Sequence, residues 1–248
     1  MTRSSTNREV AFFVTCLVDQ IYPEIGLAAV RLLEAAGYTV VVPPAQTCCG
    51  QPFFNSGLDE EAIPLAQRTV AQLEPYTAIV LPSGSCTAFL RVEVPHLLQS
   101  DPRWAQRAQA VADKTYELCE FLVHHARWTP PLLPQAPALT YHDSCHMNRL
   151  LRLRQEPRHL LQAAGYTLHE MAESDFCCGF GGLFSLRMAD VSNAITQEKL
   201  AIARQTGTSI VATADPGCLM QMRGFARELG LRVEHVAVLL AAALDGGA

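Results

Sequence analysis

Apolar residues alternate along the chain between short unbroken runs and stretches where they recur every three or four positions. Residues 10–15, Val-Ala-Phe-Phe-Val-Thr, form one such run and read as a buried strand. Residues 25–36 carry apolar positions at helical spacing, Gly37 ends them, and 38–42 read as a second strand. After a Cys48-Cys49-Gly50 loop, 59–73 have helical character and 78–81 are strand-like. The second half follows the same plan, with strands at 139–141, 166–169 and 209–212 and helices at 149–164 and 184–204. It adds a further strand at 232–235. Strands separated by helices imply βαβ units, which build parallel sheets.

The plan repeats because the sequence does. Cys16, Cys48, Cys49 and Gly50 recur at a constant offset of 129 as Cys145, Cys177, Cys178 and Gly179. Leu32 to Thr39 is echoed at offset 128 by Leu160 to Thr167, and Cys86 returns as Cys218 at offset 132. Small loop insertions account for the drift. The fold class expected is α/β, with two tandem Rossmann-like repeats, each with a parallel sheet, related by pseudo-two-fold symmetry. The halves divide into 1–129 and 138–248, joined at 130–137, where Pro130, Pro131, Pro134 and Pro137 exclude a helix and predict an extended linker.

Composition then narrows the chemistry. Only 17% of the 248 residues are charged against 49% hydrophobic, and the net charge is −5, so no basic surface for nucleic acid is present. The apolar run 11–18 is broken by Asp19 and Gln20, and the run 236–244 is about half the length of a membrane span. A cytoplasmic protein without a membrane span is expected. Nine cysteines are too few for a disulfide scaffold and odd in number. They suit a reducing compartment and thiols used for chemistry, and the repeat resolves them into four, four and Cys119, which lies on a helical pattern and reads as structural.

In each repeat the cysteines follow the strands. Carboxyl ends of parallel strands share one edge, where open α/β folds bind ligands, so Cys16, Cys48, Cys49 and Cys86 should converge, and likewise Cys145, Cys177, Cys178 and Cys218. Converging thiolates suit zinc or an iron–sulfur cluster. Neither half has the close C-x₂₋₄-C pairs of structural zinc or the C-x₂-C-x₂-C run of ferredoxins. Vicinal thiolates strain a mononuclear site, whereas a polynuclear cluster accepts them on different irons; buried apolar thiols and vicinal disulfides at Cys48-Cys49 and Cys177-Cys178 are alternatives. Gly50 and Gly179 allow positive φ and close approach of the backbone to a bulky group. His142 and His146 flank Cys145 as donors near a redox centre, and His146 is favoured. Asp215 reads better as a helix cap than as a ligand, and Ser83 and Ser85 read equally as cap or site. His124, His125 and Arg127 read as a helix end, and Arg149, Arg152, Arg154 and Arg158 as a solvated helix face.

The duplicated Cys, Cys-Cys-Gly and Cys pattern resembles the cysteine-rich CCG domain, found twice in the cysteine-rich component of heterodisulfide reductase, in glycolate oxidase iron–sulfur subunits and in standalone iron–sulfur proteins of lactate utilisation. Segments 82–86, 141–146 and 214–218 are most similar to the last group. The resemblance implies iron–sulfur centres, [4Fe–4S] in type, one per repeat or one in total, in a subunit that passes electrons during oxidation of L-lactate or another 2-hydroxy acid. It implies as partners the other subunits of a lactate oxidation complex, including a ferredoxin-type iron–sulfur protein. Heterodisulfide reductase closes each repeat with C-x-x-C and is associated with a five-cysteine cluster. Here Ser83 and Asp215 stand in place of the first cysteine of each pair, leaving four thiols per repeat and weakening the analogy to thiol–disulfide catalysis. A zinc-binding assembly module is the alternative outside redox chemistry. The Gly179-Phe180-Gly181-Gly182 stretch lacks the context of a nicotinamide or flavin site.

Overall fold

The structure, a computed structural model, describes residues 8–246. The polar start at Met1 to Asn7 lies outside the described residues. The first repeat runs β1 (Glu9–Phe12), α1 (Cys16–Gln20), α2 (Pro23–Ala35), β2 (Thr39–Val41), α3 (Gln51–Phe54), α4 (Asp59–Leu73), β3 (Ile79–Leu81), α5 (Gly84–Ala88), α6 (Val94–Leu97), α7 (Pro102–Ala112), β4 (Thr115–Glu117) and α8 (Leu118–Glu120). The second runs β5 (Ala138–Tyr141), α9 (Gln155–Ala163), β6 (Thr167–Leu168), α10 (Phe184–Arg187), α11 (Ala189–Arg204), β7 (Ile210–Thr213), α12 (Pro216–Ala226), β8 (Arg232–His235) and α13 (Val236–Leu244).

Each repeat forms a four-stranded sheet, ordered β2-β1-β3-β4 in one and β6-β5-β7-β8 in the other, and every pairing is parallel. The strand order reverses between the first strand's two neighbours, the switch point at which a crevice opens above the carboxyl ends. Contacts between the repeats are reciprocal, as a pseudo-two-fold axis requires. Helix α1 packs on α12 and the turn His146–Leu150 on α5; α2 packs on α13 and α9 on α8.

Strand alternation explains how two sheets share one interior. Val10, Phe12 and Val80 face the core formed jointly with the second repeat, whereas Ala11, Phe13, Ile79 and Leu81 face a separate core under α4 and α7. Helix α13, apolar throughout, is buried in the joint core. Among the described residues no helix is long and apolar enough to cross a membrane.

The structure departs from the sequence expectations at four places. β4 was not anticipated: Thr115-Tyr116-Glu117 has no apolar run, yet Thr115 and Glu117 are buried. The helix expected over 149–164 starts only at Gln155, because the chain makes a wide five-residue turn at His146–Leu150 and then passes through Arg152 at φ 58°. The helix expected over 184–204 is broken at Met188, which leaves the helical region at φ −123°, ψ 48°. The arginines at 149–158 are not one solvated face: Arg158 is buried and holds both oxygens of buried Asp143 at 2.7 and 2.8 Å.

Candidate metal centres

The first thiol set is delivered by three successive strand-to-helix connections. Cys16 opens α1 beyond buried Thr15, whose φ of 67° turns the chain out of β1. Cys48 and Cys49 follow β2, and Gly50, at φ 104°, turns the chain into α3. Cys86 lies in the first turn of α5, where the Ser83 hydroxyl accepts from the Cys86 amide at 3.3 Å. Cys49 Sγ stands 3.7 Å from Cys86 Sγ. The nearby Cys16 and Cys49 thiols lower the Cys48 pKa, whereas Cys48 and burial raise that of Cys16. Clustered thiols share charge in this way, one ionising more readily beside protonated neighbours.

The second set repeats the arrangement. Cys145 leads the turn His146–Leu150, its Sγ 3.5 Å from His146 Nδ1. Cys177 is exposed, and its sulfur accepts the Gly179 amide at 3.3 Å. Cys178 and Cys218 are buried with sulfurs 3.1 Å apart. Cys218 sits in the first turn of α12, where Asp215 Oδ1 accepts from the Gly217 and Cys218 amides at 3.0 and 3.3 Å. Bonding with Cys178 lowers the Cys218 pKa, but burial and the neighbouring Asp215, Cys145 and Cys177 outweigh it and leave the thiol at about 11. Gly179, at φ 91°, has no room for a side chain, since a Cβ would lie 2.5 Å from the Ser192 carbonyl. Ser83 and Asp215 are therefore caps, and all nine cysteines are free thiols.

The two centres adjoin. A pocket of about 100 Å³ over the first set is lined by Cys16, Cys48, Cys49 and Cys86 together with Phe180, Pro216 and Gly217 of the second repeat. A second of about 100 Å³ over the other set is lined by Cys145, Cys177, Cys178 and Cys218 together with Gln51, Pro52 and Ser85 of the first. Gln51, Pro52, Ser85 and Phe180 line both. The seam is fixed by Asp215, whose second oxygen accepts from the Ser85 amide at 2.7 Å, and by the Gly84 amide on the Ala214 carbonyl at 3.3 Å. On the first repeat's side of the seam, buried Gln51 donates to the Ser85 carbonyl at 3.0 Å.

The donor spacing bears on what the sites hold. A tetrahedral zinc with bonds of about 2.3 Å sets its sulfurs about 3.8 Å apart. Among the described residues the one group of three donors all within 4.8 Å of one another is His142, Cys178 and Cys218. No three described donors of the first repeat meet that limit, although Cys49 and Cys86 stand 3.7 Å apart. His142 is buried and burial, with the Lys199 ammonium, holds its pKa well below the usual range. His146, the histidine favoured from sequence, is only half-buried, its Nδ1 3.5 Å from the Cys145 sulfur. Gln51 and Phe180 carried no sequence signal; their place on the seam follows from the pairing of the repeats. Cys119 is buried away from both sets, its amide capped by Glu117 at 2.6 Å, as a structural residue should be.

Two parallel-sheet repeats, each presenting four thiols around a Cys-Cys-Gly turn, define a duplicated cysteine-rich fold. The model of the CCG cysteine-rich domain matches residues 10–91 and again 139–223, and the chain belongs to that family. It is 41% identical to lactate utilization protein A of Bacillus subtilis over 235 residues, 94% of this chain and 98% of that one. It is 42% identical over the same span to lactate utilization protein A of Bacillus velezensis. A solved structure of a hypothetical protein from Helicobacter pylori shares the fold at a TM-score of 0.65 and 12% identity. The match takes in 97% of this chain, which spans about half (49%) of that one.

Proposed function

We propose that the chain is an iron–sulfur electron-transfer subunit serving the oxidation of L-lactate or a closely related 2-hydroxy acid, with a [4Fe–4S]-type centre in each repeat. The observation that carries this reading is the pair of four-thiol sets whose pockets share Gln51, Pro52, Ser85 and Phe180. Bound there, iron–sulfur clusters supply one-electron exchange with little rearrangement of the protein. The chain's own residues ligate through Cys16, Cys48, Cys49 and Cys86 and through Cys145, Cys177, Cys178 and Cys218. Gly50 and Gly179 admit the cluster, and Ser83 and Asp215 hold the helices that carry Cys86 and Cys218. His146 donates to the Cys145 sulfur.

Oxidation of a 2-hydroxy acid to its 2-oxo acid releases two electrons and two protons, and two adjoining one-electron centres match that count. Lactate enters the reading through the name of the relatives, and membership of a multi-subunit complex through the resemblance to the cysteine-rich domain family. A ferredoxin-type iron–sulfur partner in the cytoplasm is the expected neighbour. Leu186, Met188 and Val191, exposed beside the second pocket's Gly181 and Gly182, offer it an apolar landing. The repeats 1–129 and 138–248 act as two cluster-bearing units joined at 130–137.

The compact His142, Cys178 and Cys218 group favours one competing reading, a single zinc in the second repeat. Anaerobic purification and reconstitution, with iron, sulfide and zinc quantified and EPR recorded on the reduced protein, separates the two. A brown protein with about four irons and four sulfides per repeat is expected. A colourless protein with less than about one iron and about one zinc per chain overturns the iron–sulfur reading.

A further inference from the structure

The repeats differ at one position that should matter to their metal centres. Beyond the first strand, the first repeat has Phe13 where the second, at offset 129, has His142. Both side chains are fully enclosed. Phe13 belongs to the apolar core with Ala11, Leu81 and Phe89. His142 carries two ring nitrogens, and neither has a hydrogen-bond partner. Burying such a group without partners costs free energy that a phenyl ring would avoid, so its presence calls for a ligand.

The surroundings supply a direction. A ring nitrogen of His142 lies within 4.8 Å of the sulfurs of Cys178 and Cys218. The backbone on either side is pinned, the His142 amide to the Ala212 carbonyl at 2.8 Å and the Asp143 amide to the Ser174 carbonyl at 2.9 Å. The sheet thus fixes the backbone that presents the ring beside the sulfurs, where neither nitrogen has a hydrogen-bond partner.

We infer that His142 is a nitrogen donor to the metal centre of the second repeat, beside the thiolates of Cys178 and Cys218, so that the two centres are chemically unequal. The inference rests on the reading that each repeat holds an iron–sulfur centre. The first centre is all-sulfur; the second is mixed. His142 comes in addition to the four thiolates of the second repeat, not in place of one, so it makes the two donor sets unequal without removing a thiolate charge.

The test is pulsed EPR of the reduced, reconstituted full-length protein carrying ¹⁵N-labelled histidine, beside His142→Phe, His142→Asn and His146→Ala. A histidine nitrogen coupling that is lost in both His142 variants and kept in His146→Ala is expected. The wild-type measurement needs no variant to fold, and Phe already occupies the matching buried position in the first repeat. An iron-loaded protein with no histidine nitrogen coupling, or a coupling that survives His142→Phe, overturns the inference while leaving the iron–sulfur reading intact. A protein that takes up no iron overturns that reading and this inference with it.

Discussion

Arg158→Met tests whether the buried charge beneath the second centre is structural. In the native protein the guanidinium donates to both Asp143 oxygens at 2.7 and 2.8 Å, to Glu170 at 2.6 and 2.9 Å and to the Arg154 carbonyl at 2.7 Å. It also lies over the Tyr141 ring, 4.8 Å from its centroid. Methionine keeps the stem and removes the charge. Glu170, half-exposed, rehydrates at small cost, but the Asp143 side chain is 1% exposed and cannot. It retains the Ser174 hydroxyl at 2.7 Å and Arg154 Nε at 3.6 Å. Removing one partner of a buried pair costs about 3–5 kcal/mol. The surviving partners place this case at the lower end, about 3 kcal/mol. For a chain of this size that lowers Tm by roughly 6–12 °C. Urea and thermal unfolding of the metal-free protein, followed by circular dichroism and fluorescence to establish coincident transitions, measure it. Adding Asp143→Asn should recover part of the loss by removing the stranded charge. A loss below about 1 kcal/mol, the worth of a surface pair, would refute the claim that Asp143 depends on Arg158.

Three further outcomes are expected. Burial raises the Glu117 carboxyl to about 8 from 4.5, so between those values the folded state binds the extra proton and stability falls as pH rises, by at most about 1.4 kcal/mol per unit; Glu117→Gln should flatten that slope in unfolding measured from pH 5 to 8, and an unchanged slope would remove Glu117 as its source. Gly179→Ala puts a Cβ 2.5 Å from the Ser192 carbonyl, whereas Gly50→Ala meets its nearest atoms at 3.3 Å, so although both carry positive φ the first should cost more stability and more iron in the second repeat; equal losses in the two variants would show that strain, not space, decides. In the metal-free protein at pH 6, iodoacetamide should label the Cys48 thiolate first and buried Cys119 last by peptide mass spectrometry, with metal loading protecting Cys48; Cys119 reacting as fast as Cys48 would contradict the structure.

The thiol sets were legible because a parallel sheet converts sequence order into place: a cysteine just past each of three strands must end on one edge. Strands and helices with apolar patterns, such as Asp59–Leu73 and Arg232–His235, were legible for the same reason, since burial of one face writes itself into the spacing. β4 was not, because its buried residues are Thr115 and Glu117, and their place in the core depends on pairing with Ile79 and Leu81. Arg158 was misread because helical spacing reports a face, and the partner that buries it, Asp143, comes from the strand connection of β5. The wide turn at His146–Leu150 has no local signature either, and it alone lets Cys145 start a helix-like turn while Arg154 reaches back to Ser174.

Duplication also makes the departures from symmetry informative. Glu117 and His235 are equivalents that share no sequence alignment: each ends the fourth strand of its sheet, in register with Leu81 and Thr213, and each caps the helix that follows. Both are fully buried, and each leaves one side-chain atom unpartnered, Oε1 of Glu117 and Nε2 of His235. A position that must cap a helix from inside the core needs a polar acceptor, and burial then drives either choice to its neutral form, raising the carboxyl to about 8 and lowering the imidazole to about 4. The two repeats thus solve one local problem with opposite chemistries and the same net charge. Phe13 against His142 is a different kind of departure: no cap or pairing requires a polar group there, and the first repeat does without one. Tyr141 against Phe12 is another such departure, its buried hydroxyl also unpartnered, so what sets His142 apart is its place beside the sulfurs of Cys178 and Cys218.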